Sequence, residues 1–78
     1  MPTLYRSGSF RFFFYAGDRN EPPHVHVDGG AGIAKYWLNP VRLEDSRGFK
    51  RHELNALEAL ITENADDFLQ AWNEYFNQ

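Results

Sequence analysis

Hydrophobic residues in this chain keep one spacing up to residue 45 and another from residue 54 onward. In "HVHVDG" and "GIAKYWL" they alternate with period two, the pattern of strands that bury one face. From Leu54 the series Leu54, Leu57, Ile61, Ala65, Phe68, Trp72 and Tyr75 advances by three- and four-residue steps, the mark of an amphipathic helix. Leu60, Leu69 and Phe76 widen that stripe, and Ser46-Arg47-Gly48 separates the two regimes. Strands first and helices afterwards is an α+β order. It predicts an antiparallel sheet of about five short strands followed by one or two C-terminal helices packed on one face.

Turn residues divide the first half. "TLYR" and "FRFFFYAG" flank Ser7-Gly8 and form a hairpin, while "DRNEPP" cannot continue a ladder and is a loop. The glycine cluster at 29–32 turns "HVHVDG" back onto "GIAKYWL"; it lacks the spacing and the following helix of a phosphate cradle. Asn39-Pro40 breaks the chain before a last strand, "VRLED". The strands thus fall within about residues 3–45 and the helices at about 50–63 and 65–76. Asn64 is the expected N-cap of the second helix, with Asp66 and Asp67 in its first turn. The stripe crosses Asn64 without a phase jump, so one long bent helix is the alternative.

Seventy-eight residues allow a single domain, 1–78, with one core. Aromatic residues, 17% of the chain, can fill it with few aliphatic side chains. No cysteine is present, which excludes disulfides and thiolate zinc sites. Without such staples a homodimer or a partner protein is a natural source of further burial. "MPTLYRSGSFRFFFYAGD" has no continuous aliphatic stretch, and no segment approaches the ~20 apolar residues of a membrane span. The expectation is a cytoplasmic protein with no membrane partner. The net charge of −3 hides an asymmetry: residues 1–51 sum to +3 and residues 52–78 to −6. Such a bipolar molecule offers one end to an anion and the other to a basic segment, although an acidic helix face is also simply a solvated one.

Alternation assigns faces to the strands. Val25 and Val27 point to the helices, and His24, His26 and Asp28 point away. The same rule sets Lys35 and Trp37 against Ala34, Tyr36 and Leu38, and Arg11, Phe13 and Tyr15 against Phe10, Phe12 and Phe14. The expected outer face is therefore solvated, cationic and aromatic, gathering Arg11, Phe13, Tyr15, His24, His26, Asp28, Lys35 and Trp37. Three chemistries suit it. The leading one is a protein interface, because Tyr, Trp, Phe and Arg are hot-spot residue types. The second is metal-independent RNA cleavage, with His24 and His26 as acid and base, Arg11 and Lys35 on phosphate, and Tyr15 and Trp37 stacking bases. It needs no cofactor. The third is a metal on His24 and His26, about 7 Å apart along the strand from two rises of ~3.3 Å. That one lacks a visible third ligand, since Asp28 lies in line with the histidines and His52 belongs to the helix start.

The segments "MPT", "FRFFFY", "PPHVHV" and "AKYWL" with the following "NPV", then "GF", "EL" and "AWNEYF", resemble the small bacterial family catalogued as domain of unknown function 4160. The resemblance spans essentially the whole chain, and "PPHVHV" with "AKYWL" is its most specific part. It implies a small partner-binding protein, often encoded beside a second small protein (domain of unknown function 2442) in pairs that look like toxin–antitoxin modules. The positions it carries over are Arg11, Phe13, Tyr15, Pro23, His24, His26, Lys35 and Trp37. With no basic recognition helix in the sequence, the implied role is toxin-like, with RNA as a candidate target, rather than that of a repressor. A non-catalytic interaction module or antitoxin-like partner is the alternative.

Overall fold

A computed structural model describes residues 3–77; Met1, Pro2 and Gln78, included in the expected domain, lie outside the described residues. Five strands follow one another: β1 (Thr3–Ser7), β2 (Phe10–Phe13), β3 (His24–Asp28), β4 (Ile33–Leu38) and β5 (Val41–Arg47). Two helices close the chain, α1 (Arg51–Glu63) and α2 (Ala65–Phe76). The strands form one antiparallel sheet in sequence order, β1-β2-β3-β4-β5, so every connection joins spatial neighbours. This is the α+β arrangement that the change of period predicts. No helix among the described residues is long and apolar enough to cross a membrane.

The inner face follows from alternation. Phe12, Phe14, Val25, Val27, Ala34, Tyr36 and Leu38 are buried against Leu57 and Ile61 of α1 and Phe68 and Trp72 of α2. Aromatic contacts dominate this core: Phe12 stacks on Phe68 at 5.8 Å, and Phe14 meets Trp72 edge-on at 5.0 Å. Tyr36 carries a polar tip into this core. Its hydroxyl donates to the Leu54 carbonyl at 2.9 Å, tying the sheet to the first turns of α1. Burial, followed by the nearby Glu58 carboxylate, pushes the Tyr36 phenol up to about 12. A phenol whose folded value is raised contributes stability below its unfolded value and loses it on the way up to the folded one. Tyr36→Phe is therefore expected to cost about 1 kcal/mol at neutral pH. It should also remove the wild type's extra loss of stability between pH 10 and 12, as read by urea titration of both proteins across that range.

Three local features depart from the sequence reading. The second strand stops at Phe13 instead of running to Gly17, and Ala16–Asn20 form a short 3-10 turn. The cause is local: the Asp18 carboxylate accepts the Tyr15 N–H at 2.9 Å, offering the backbone a partner outside the ladder. The last strand runs two residues further than expected, to Arg47, with a register shift between Lys35 and Tyr36. Asn64 stands between two helices, not inside one, but its side chain does not cap α2. Its Nδ2 donates back to the Leu60 carbonyl at 2.8 Å and so serves the end of α1. Asp66 and Asp67 do occupy the first turn of α2, and Arg19 from the 3-10 turn donates to the Phe76 carbonyl at 2.6 Å at its far end.

Candidate functional site

The outer face of the sheet is built by cross-strand pairing. Phe13, His26, Lys35 and Asp45 lie side by side across β2 to β5, and Arg11, Asp28, Ile33 and Arg47 form the neighbouring row. Together with Tyr15 these rows line an open cavity of about 260 Å³. Phe13 and Tyr15 give it an aromatic corner: Tyr15 is 48% exposed, and its ring lies 5.1 Å from Phe13 and 4.6 Å from His26. Phe13 itself is buried, stacked on the His26 ring at 5.5 Å and covered by the Arg11 guanidinium at 4.4 Å.

The expectation of a cationic face is corrected by the ion pairs on it. Arg11 pairs with Asp28 at 3.8 Å, its direct neighbour on β3. Lys35 binds Glu21, whose carboxyl that contact holds below its usual range, and also sits 4.8 Å over the Trp37 ring. Trp37 donates its indole N–H to Glu44 at 2.8 Å. The cavity lining carries Arg11, Lys35 and Arg47 against Asp28 and Asp45, and Glu21 cancels the remaining charge through Lys35. This face is polar and aromatic, with its charges balanced.

The expectation of two solvated histidines is also corrected. Alternation assigns His24 to the outer side, yet its side chain is 0% exposed. Its ring is flanked by His26 at 5.0 Å, Trp37 at 5.6 Å and Trp72 of α2 at 5.0 Å. Nδ1 of His24 donates to the Pro22 carbonyl at 2.9 Å; a carbonyl only accepts, so that nitrogen carries the proton. A two-histidine acid–base pair needs both rings at the substrate, and this geometry leaves only His26 near the cavity. His26 is half-buried, and burial depresses its pKa against the opposing pull of Asp18.

Asp18 is the residue that sequence reasoning missed. Its Oδ2 accepts from the Tyr15 N–H at 2.9 Å and from His26 Nε2 at 3.0 Å, and lies 3.1 Å from His24 Nε2. The last contact lies off the line along which the ring would donate, so His24 Nε2 is buried without a hydrogen-bond partner among the described residues. Donor atoms of Asp18, His24 and His26 all lie within 4.8 Å of one another. Asp28, the carboxylate nearest to the histidines in sequence, takes no part: it pairs with Arg11 and accepts the Gly30 N–H at 2.9 Å. His52 is exposed in the first turn of α1. The usable signal for Asp18 was an acidic residue in the loop that returns to the start of an H-x-H strand.

Among known families, one described as "Domain of unknown function (DUF4160)" matches residues 9–73. No curated protein and no solved structure matches the chain.

Proposed function

This chain belongs to the DUF4160 family, and we propose that it is the toxin-like, partner-binding member of a two-protein module whose outer sheet face is the docking surface. The occupant is the small protein encoded beside it, of the kind that the family resemblance implies. One observation carries the choice of protein over RNA. The cavity is aromatic at one corner and charge-balanced across the rest, with Asp28 and Asp45 placed where phosphates would be repelled. Phosphate binding is driven by a surplus of Lys and Arg, whereas mixed-sign charges around exposed aromatics suit a polypeptide and set its register. Tyr15 is the expected anchor, because it is the most exposed large aromatic on this face and already rests on Phe13 and His26.

The test is titration calorimetry between the purified chain and the neighbouring gene's product. Tyr15→Ala is expected to weaken the complex about thirtyfold or more, and Arg11→Glu to weaken it through reversed charge. Both variants should keep their circular dichroism spectrum, since neither site is in the core. Cleavage of RNA by the chain alone, surviving EDTA and lost in His26→Ala, would overturn the docking reading in favour of a nuclease. Self-association that is abolished by Tyr15→Ala would place a second copy of the chain on the face instead.

A further inference from the structure

We propose that Asp18, His24 and His26 form a binding site for one divalent transition metal ion of the zinc class. The ligands are Nε2 of both histidines and a carboxylate oxygen of Asp18, drawn together from the 3-10 turn and the start of β3. This inference is independent of the docking reading, because metal binding is measured on the chain without any partner.

The strongest observation is the state of His24. With its proton on Nδ1, held by the Pro22 carbonyl, the neutral form of the ring carries its lone pair on Nε2. That lone pair is fully buried, meets no donor, and faces a carboxylate oxygen 3.1 Å away. Two electron-rich atoms so placed repel each other unless a cation lies between them. A proton on Nε2 would be attracted to the Asp18 carboxylate but would make no hydrogen bond with it. A metal ion has no such linear requirement between its ligands. Two ligand atoms each about 2.0–2.1 Å from one ion and about 3.0–3.1 Å apart subtend about 95–100° there. That angle lies close to the tetrahedral range.

The surroundings match those of metal-binding side chains. Ligating histidines typically donate their other ring N–H to a backbone carbonyl or carboxylate, which fixes the tautomer, and His24 does so to Pro22. Ligating carboxylates are themselves hydrogen-bonded, and Asp18 accepts the Tyr15 N–H. His26 now donates from Nε2 to Asp18; coordination requires the tautomer with its proton on Nδ1. Two imidazoles and one carboxylate select zinc, iron(II), cobalt or nickel over calcium and magnesium, which prefer all-oxygen sets. The cluster holds three such ligands among the described residues. Glu21, 3.8 Å from the other nitrogen of His24, is engaged by Lys35. Three protein ligands leave a fourth position for water or a small ligand, the pattern of reactive zinc sites.

The test begins with full-length chain stripped by EDTA and dialysed into metal-free buffer. Zinc chloride titrated in a calorimeter is expected to bind at about one ion per chain. Asp18→Asn, His26→Ala and His24→Ala should each weaken that binding about a hundredfold or more, while His52→Ala and Asp28→Asn leave it unchanged. Cobalt(II) should give the visible absorption bands of a four- or five-coordinate site and lose them in Asp18→Asn. His24 is in the core and its variant can fail to fold; Asp18→Asn and His26→Ala, checked by circular dichroism, keep the proposal testable. Zinc binding that is absent in the wild type, or equally tight in Asp18→Asn and His26→Ala, overturns it. Preference for magnesium or calcium over zinc overturns the assigned metal class.

Discussion

Gly48→Ala is expected to destabilise the fold by about 2–4 kcal/mol, from a left-handed backbone and a blocked side-chain position acting together. Gly48 has φ +83°, and a Cβ there would stand 2.3 Å from the Ala31 carbonyl oxygen and 3.0 Å from the Gly32 Cα. Those are backbone atoms of the β3–β4 hairpin and cannot rotate aside. Relief would require the end of β5 to move off that hairpin. Phe49, which follows and packs its ring 5.9 Å from Phe10, would move with it. A domain of this length has a total stability of roughly 4–12 kcal/mol, so the change removes a large share of it. Gly17→Ala is the control, because Gly17 has no positive φ and a Cβ there meets nothing within 4 Å. Urea midpoints should separate the two variants clearly. A Gly48→Ala midpoint within error of Gly17→Ala would show that the strand end yields without cost.

The contrast between Gly48 and Asp18 shows how far the sequence could be read. Ser46-Arg47-Gly48 marks the change of hydrophobic period, and the inner-face residues Phe12, Val25, Val27, Tyr36 and Leu38 follow from alternation alone. These are local properties: each depends on the residue and its neighbours within two to four positions. The assignment of His24, His26 and Lys35 to the opposite side is local in the same sense. What lies over that side is not. His24 is buried because the 15–21 segment folds back to bring Asp18 to its ring while Trp72 arrives from α2, nearly fifty residues away in sequence. The pairing of Arg11 with Asp28 becomes visible once the register is known, since the two are directly opposed. Lys35 with Glu21 joins a strand to a loop and has no such rule behind it. Along an H-x-H strand the next carboxylate, Asp28, lies in line with the histidines, whereas the structure brings the Asp18 carboxylate to both of them from the turn before.

Trp72→Ala is expected to be the costliest core change, at about 3–5 kcal/mol, which approaches the whole stability of a small domain. The indole is 6% exposed and lies 5.0 Å from Phe14 edge-on, 4.3 Å from Phe76 and 5.0 Å from His24. It therefore joins the inner-face core to the histidine at the start of β3, and truncation opens a cavity that both share. Trp72→Phe retains an aromatic ring against Phe14 and should lose much less, which keeps the comparison measurable if the alanine variant unfolds. A second readout separates loss of packing from loss of the site. Diethylpyrocarbonate modifies accessible neutral imidazoles, so in the wild type His52 and His26 should react well before His24, which is fully buried. In Trp72→Phe the order should hold with a faster His24 reaction, because the smaller ring leaves room for water beside the imidazole. Mass spectrometry of the digested protein reads each histidine separately. Equal reactivity of all three histidines in the wild type would mean that His24 is not enclosed. Asp18 would then face a solvated ring, and the repulsion that calls for a cation at Nε2 would be relieved by water.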